Sequence, residues 1–187
     1  MKKLLISVLM LLALSSCGKL QDDPFERFLA QRSYHPKSGM IWDFSPTEVR
    51  ITLSDSQGND LLDPKNEGGW YNLPISATFD GKTFEGINKS SIKHDDLQTK
   101  YYLTTLRGFY MYPLWYTHTD RYILYFGELD SADKWDHDLV ISWPDGTKDV
   151  IRVQHAFRWD INGNPDMYTG FKLNGKAVEG GIIRLQK

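Results

Sequence analysis

The sequence predicts an all-β fold: a single antiparallel β-sandwich, immunoglobulin-like or transthyretin-like, with a short N-terminal helical segment. Three observations carry this. Apolar and polar residues alternate with a period of two in successive runs of strand length. Gly, Asp and Asn cluster between those runs at the spacing of hairpin turns. No long stretch carries the 3.6-residue period of an amphipathic helix. The chain has 187 residues, 41% hydrophobic and 25% charged, which is enough for one domain with a real core and excludes disordered, collagen-like and polytopic membrane chains. Its 22 Lys and Arg against 24 Asp and Glu make it too mildly acidic to favour nucleic acid.

The first element is a processing segment. Lys2 and Lys3 give a positive start, Leu4 to Leu14 is an apolar run interrupted by Ser7, and small residues follow. The run is too short to span a bilayer comfortably. Leu14-Ser15-Ser16-Cys17 resembles the lipobox of bacterial lipoproteins, in which the Cys thiol receives a diacylglycerol and its new amino group an acyl chain. Cys17 is the single cysteine of the chain, which excludes an intrachain disulfide. The expected organisation is a signal peptide over 1–16, a lipidated tether over 17–23 and one domain over 24–187. Two or more acyl chains give a stable anchor, each buried methylene contributing roughly 0.8 kcal/mol. Gly18, rather than Asp, after the Cys resembles lipoproteins sent to the outer membrane. Lys19 with Gln21-Asp22-Asp23 resembles, loosely, the export signal of surface-exposed lipoproteins of Bacteroidetes.

Within the domain, Pro24 to Arg32 spaces Phe25, Phe28 and Leu29 for one or two helical turns. Val49, Ile51 and Leu53 alternate with Arg50 and Thr52 in a strand with one buried face, which Asp55 to Asp60 ends as a turn. Ile75 to Phe79 and Phe84 to Ile87 pair through Asp80-Gly81-Lys82. Further strands are expected over 100–106, 121–129, 138–143, 149–157, 167–173 and 176–185. Pro144-Asp145-Gly146-Thr147 and Asn174-Gly175 supply the turn chemistry of two more hairpins.

The lipobox, the Leu61-Leu62-Asp63-Pro64 segment that follows a β-turn, and the closing Leu173-Asn174-Gly175-Lys176 hairpin together resemble small Bacteroidetes envelope lipoproteins of unknown function. The resemblance implies an envelope-anchored β-sandwich and brings no catalytic residues. In physical terms Leu61 and Leu62 plug the core, and Asp63-Pro64 turns the chain out again.

Few constellations carry chemistry. Asp160, Asn162, Asn164 and Asp166 stand at the 1, 3, 5, 7 spacing of a calcium loop, yet Pro165 occupies the place of the required Gly and Phe171 that of the bidentate Glu. A hairpin made of good turn formers is the better reading, for this loop and for Asp55-Gln57-Asn59. The histidines are scattered without a metal-binding pair, and His155, in phase with Ile151 and Val153, reads as a hydrogen-bonded core residue. Asp133 to Asp138 gathers three carboxylates and His137, and reads as a solvated loop anchored by Trp135. There is no Gly-x-Ser-x-Gly elbow and no phosphate loop, and no cofactor or catalytic residue is expected.

The unusual composition lies at Phe109-Tyr110-Met111-Tyr112-Pro113-Leu114-Trp115-Tyr116. Consecutive rings project to both sides of an extended chain, so some are expected at the surface. Tyr110, Tyr112, Trp115 and Tyr116, joined by Trp70 and Tyr71 from another loop, form the candidate ligand or partner surface, suited to sugar rings or to a protein. The function expected is that of a non-enzymatic binding or envelope-structural lipoprotein of the outer membrane, held by Cys17 and contacting a glycan or an envelope protein. A carbohydrate-binding accessory lipoprotein of a glycan-uptake system is the alternative, and a metal-dependent hydrolase a distant third.

Overall fold

The computed structural model describes residues 23–42, 44–88, 109–113 and 121–187. The expectations for Cys17, Trp115 and Tyr116, and the strand expected over 100–106, lie outside them. Among the described residues one short helix, α1 (Pro24–Leu29), precedes ten strands: β1 (Thr47–Ser54), β2 (Ser76–Phe79), β3 (Lys82–Asn88), β4 (Phe109–Pro113), β5 (Tyr122–Leu129), β6 (Trp135–Ser142), β7 (Lys148–Trp159), β8 (Pro165–Leu173), β9 (Lys176–Ala177) and β10 (Ile183–Gln186).

The strands are ordered β10-β1-β5-β4-β3-β2-β6-β7-β8-β9. They form two layers because β3 belongs to both: Lys82 to Glu85 pair with β2, and Gly86 to Asn88 pair with β4. The layers face one another through Phe79 and Phe126, whose ring centroids are 5.2 Å apart, and through Phe84 and Phe126 at 5.5 Å. This is the all-β, sandwich-like architecture that the alternation predicts. Among the described strands two pairings are parallel, β1 with β10 and β3 with β4. Hairpin turns join only antiparallel neighbours, so turn chemistry is blind to both.

The core follows from the period of two. Val49, Ile51 and Leu53 of β1 and Leu124 and Phe126 of β5 meet Ala77, Phe79, Leu139, Ile141, Ile151, Val153 and Phe171 of the other layer, all buried. Each large side chain removed from water contributes roughly 1.5 to 3 kcal/mol before the cost of ordering the chain. Leu61 and Leu62 do plug this core. The plug is held by the Asp60 carboxylate, which accepts the backbone N–H groups of Leu62 and Tyr122, both at 2.8 Å. Asp80 and Gly81 both have positive φ, as do Asn174 and Gly175, so the two tight hairpins form where they are predicted. The run expected over 176–185 is instead two strands. Gly180 and Gly181, both at positive φ, divide it, and β10 crosses to the other layer to lie beside β1.

The chain before β1 wraps the end of the long β7–β8 hairpin. Even-numbered residues of β7 face away from the core, and there α1 sits: Asp23 caps the helix by accepting the Phe25 N–H at 2.9 Å, and its other oxygen receives Lys172 Nζ at 2.6 Å. Phe25 is buried, with its ring centroid 5.4 Å from that of Tyr168. Arg158 lies over Phe28 at 4.9 Å. This cover is why β7 loses its alternation at Gln154 to Ala156, where both faces are buried. The strap then rounds the hairpin tip, with Tyr34 N–H on the Trp159 carbonyl at 3.0 Å and Lys37 N–H on the Gly163 carbonyl at 3.1 Å. A Cβ at Gly163 would stand 2.8 Å from Lys37 N and 2.9 Å from His35 O, so only glycine lets the strap pass this close. Beyond the tip, Trp42 packs on Trp159 and Phe44 on Phe157, on the odd-numbered, inward face.

Candidate functional site

Where the strap leaves the ring cluster and enters β1, the two layers part in an open cleft of about 280 Å³. Its position depends on a β-bulge. The register of β1 on β5 shifts between Thr47 and Glu48, opposite Gly127, which holds φ +113°. A Cβ on Gly127 would approach the Thr47 carbonyl to 3.1 Å, so the bulge requires glycine. It aims Thr47 at the interior, where Thr47, Ser131, His155 and Thr169 meet from four separate elements.

The hydrogens in this cluster can be counted. His155 Nε2 is 2.9 Å from the Ser131 carbonyl, which can only accept, so Nε2 carries a hydrogen. In the neutral ring Nδ1 then accepts from the Thr169 hydroxyl at 2.8 Å. Ser131 Oγ donates to the Ser45 carbonyl at 2.7 Å and accepts from Thr47 Oγ1 at 3.0 Å. His155 is buried with both ring nitrogens engaged, as a core histidine should be. Glu48 and Arg50 pair at the mouth, at 2.9 Å. The cluster can orient a small polar ligand at its mouth, but its serine hydroxyl is committed to a carbonyl, and among the described residues the imidazole bonds to hydroxyls and a carbonyl rather than to a carboxylate that would orient it as a base. Sequence signals for Thr47, Ser131 and Thr169 are absent. Only the phase of His155 with Val153 pointed here.

The candidate partner surface is divided. Trp70 is half-buried against the core, 6.0 Å from Trp143, and Tyr71 meets Tyr122 edge-on at 5.9 Å. Tyr110 and Tyr112 stand in β4, in register with Tyr125 and Ile123. Tyr122 is in register with Pro113, so the Tyr71 loop and the end of the aromatic strand lie at one end of the same sheet. The four-ring cluster of Trp42, Phe44, Phe157 and Trp159 has no counterpart in the sequence reading, because its rings come from segments far apart in the chain.

The calcium-spaced loop is a turn held by its own carboxylate. Asp160 Oδ1 accepts the backbone N–H groups of Asn162 and Asn164, both at 2.8 Å, and Oδ2 accepts Asn164 Nδ2 at 3.3 Å. The Asn164 N–H above all keeps the Asp160 carboxyl below the usual carboxylate range. Asp55 repeats the arrangement with Gln57 and Asn59. Asp166, the last of the four, binds Arg158 instead. Of the stretch 133–138, Asp133 and Lys134 lie in the turn before β6 and Trp135 packs against the core, but Trp135 to Asp138 belong to β6 rather than to a loop, because they pair with β7. Asp136 and Asp138 both receive Arg152, at 2.8 and 3.2 Å, while His137 turns to Asp80 at 3.7 Å and Trp135 Nε1 donates to the Asp130 carbonyl. Among the described residues no three His, Cys, Asp or Glu side chains group to hold a metal, and no helix is long and apolar enough to cross a membrane. The chain matches none of the protein-family models, curated proteins or solved structures with which it was compared.

Proposed function

We propose that this protein is a lipid-anchored, non-enzymatic module of the bacterial cell envelope, held at the outer membrane through Cys17 and acting there as a binding or structural element. The observation that carries the reading is the grip of the domain on its own leader-proximal chain. Asp23, six residues after Cys17, is fastened by Lys172, and Phe25 is buried. The lipobox and the resemblance to small Bacteroidetes lipoproteins supply the anchor, and the committed hydrogens of the Ser131–His155 cluster support a role without catalysis. The described rings favour a protein face over a sugar platform, since they pack against one another tilted, as Trp42 and Trp159 do at 55°, or edge to face, as Phe157 and Trp159 do at 85°, rather than in a flat strip.

Metabolic labelling with a tagged fatty acid tests the anchor. Label is expected on the wild-type chain in the outer-membrane fraction, and Cys17→Ser is expected to retain its leader, carry no label and leave that fraction. An unlabelled wild-type chain, or a variant that stays in the fraction, overturns the reading.

A further inference from the structure

The residues that hold α1 fix the direction in which the chain enters the domain. Asp23 is held by Lys172, Phe25 packs on Tyr168, and Phe28 lies under Arg158, which is in register with Asp166. The helix therefore runs along β8 from its end toward its start. The chain ahead of Asp23 arrives where β8 turns into β9. The same end of the sandwich carries the β6–β7 turn, the end of β1 and the start of β2. Asn174 bonds there to Asp149, the Lys187 N–H to the Ser54 carbonyl and Lys187 Nζ to Thr147, and Ser76 is in register with Ser142. Thr47 at the start of β1 and Ser131 after β5 place the cleft toward the opposite end, with the 160–164 tip. Pro165, where β8 leaves that tip, is roughly 23 Å from Lys172 at about 3.3 Å per residue.

A turn from Trp70 to Leu73 closes the entry end over both layers. Trp70 stands 6.0 Å from Trp143, beside β6, and Tyr71 stands 5.9 Å from Tyr122 of β5, while the Leu73 N–H returns to the Trp70 carbonyl at 3.0 Å. Both rings are half-buried, and between these two staples Leu73 is left 46% exposed, with Asn72 and Pro74 also exposed. An exposed leucine alone needs no explanation. Beside a Trp and a Tyr, whose apolar bodies and polar tips suit the boundary between headgroups and acyl chains, it forms a small interfacial surface. The exposed charges around it have both signs, Lys148 and Lys176 with Asp145 and Glu179, so attraction to anionic lipid is not what it offers.

We propose that this end is the membrane-proximal base of the domain, with Trp70, Tyr71 and Leu73 resting in the phospholipid headgroup region and the cleft and the tip turned away from the bilayer. The proposal rests on the lipidation of Cys17. The length of chain before Asp23, and the point where it ends, select a phospholipid surface as the occupant. From Cys17 to Asp23 an extended chain spans no more than about 22 Å at roughly 3.6 Å per residue. From β8, where Asp23 is held, to β2, which Leu73 precedes, is three strand spacings, roughly 14 Å at ~4.8 Å each. The Trp70–Leu73 turn thus lies beside the point of attachment, and the tip a strand length beyond it. The acyl chains retain the protein, and the base decides which end it presents outward.

The experiment uses the mature lipidated protein in phosphatidylcholine vesicles, with no anionic lipid. The Cys17 thiol is closed by its lipid, so Leu73→Cys supplies one thiol for an environment-sensitive fluorophore. Ile161→Cys, at a residue 76% exposed on the tip, supplies the control, and Asn72→Cys repeats the reading should Leu73→Cys fail to fold. Flotation reports the anchor, and quenching by lipid-borne bromine reports the base. The expected result is that all float while the probe at Leu73 is blue-shifted and quenched about threefold more than the probe at Ile161, as for side chains sunk ~5 to 10 Å into the interface. Flotation with equal quenching at the two ends, or with the stronger quenching at Ile161, overturns the base and leaves the anchor standing. A blue-shifted Leu73 probe without bromine quenching overturns it in favour of a protein contact, and failure of the wild-type chain to float overturns base and anchor together.

Discussion

The indole N–H of Trp143 donates to Asp149 Oδ2 at 2.7 Å, across the turn that joins β6 to β7. The same oxygen receives Lys187 Nζ at 2.7 Å, and Oδ1 receives Asn174 Nδ2 at 2.7 Å, so one buried carboxylate ties β6, β7, the β8–β9 turn and the C-terminal residue.

Acid stability should report this carboxylate. Burial pushes the Asp149 carboxyl up, but the hydrogen bonds from Lys187, Asn174 and Trp143 outweigh it and hold it below the ordinary value of 3.8. A group whose folded value is depressed contributes stability that is fully present above its unfolded value and is lost as pH falls through the folded one. The contribution is therefore intact above about pH 4 to 5 and lost below that. Thermal melts from pH 7 to pH 3 are expected to show a shallower acid limb for Asp149→Asn, with a lower melting temperature at neutral pH. Parallel acid limbs would remove Asp149 from the account.

Trp143 is a core ring, and Trp143→Ala is expected to cost roughly 3 to 5 kcal/mol through the cavity it leaves. For Trp115→Ala the expectation from sequence is under about 1 kcal/mol, with weakened binding to whatever partner a pull-down or glycan array identifies. Urea melts of the two variants decide between a surface and a core for the aromatic segment. Equal losses would make it core.

Calcium should not stabilise the domain. The Asp160 and Asp55 carboxylates are already occupied by backbone N–H groups of their own turns, so excess calcium or EDTA is expected to move the melting temperature by less than about 2 °C. A rise of ~5 °C with calcium would show that the Asp160 turn opens to take the ion. Asp160→Ala should destabilise with or without calcium, since it orphans the N–H groups of Asn162 and Asn164.

Gly163→Ala should detach the strap while sparing the sheets. The new Cβ meets the backbone of His35 and Lys37 at positive φ, and the strain is relieved most cheaply by local opening. Limited proteolysis is expected to cut within 31–42 much faster than in wild type, with the near-ultraviolet signal of the core retained. Protection equal to wild type would mean that the tip does not hold the strap.

The β6–β7 turn and the two tight hairpins were legible because their chemistry is local: Asp80-Gly81 and Asn174-Gly175 adopt the positive φ pair that a two-residue hairpin demands, whatever surrounds them. The core faces of β1, β6 and β7 were legible for the same reason, since alternation is a property of neighbours in sequence. What could not be read is what joins distant segments. The parallel place of β10 beside β1 and the gathering of Thr47, Ser131, His155 and Thr169 each depend on a second chain segment that no local pattern specifies. The strap was hidden differently, because its anchoring points are mostly main-chain groups, which every residue possesses. Gly163 was its one legible trace, and a turn glycine has a simpler explanation.

The route of the chain around the hairpin also decides where force goes. If tension enters the chain ahead of Asp23, it meets the Lys172 ion pair and the buried Phe25 before it can reach β1. The strap acts as a cleat would, with α1 on one face of the hairpin and Trp42 and Phe44 on the other, so a pull along it is expected to load these contacts in shear before the sheet edges. A domain hung directly from β1 would instead unzip from its first ladder bond, so this one is expected to withstand a pull at Asp23 for longer than a chain that entered at β1.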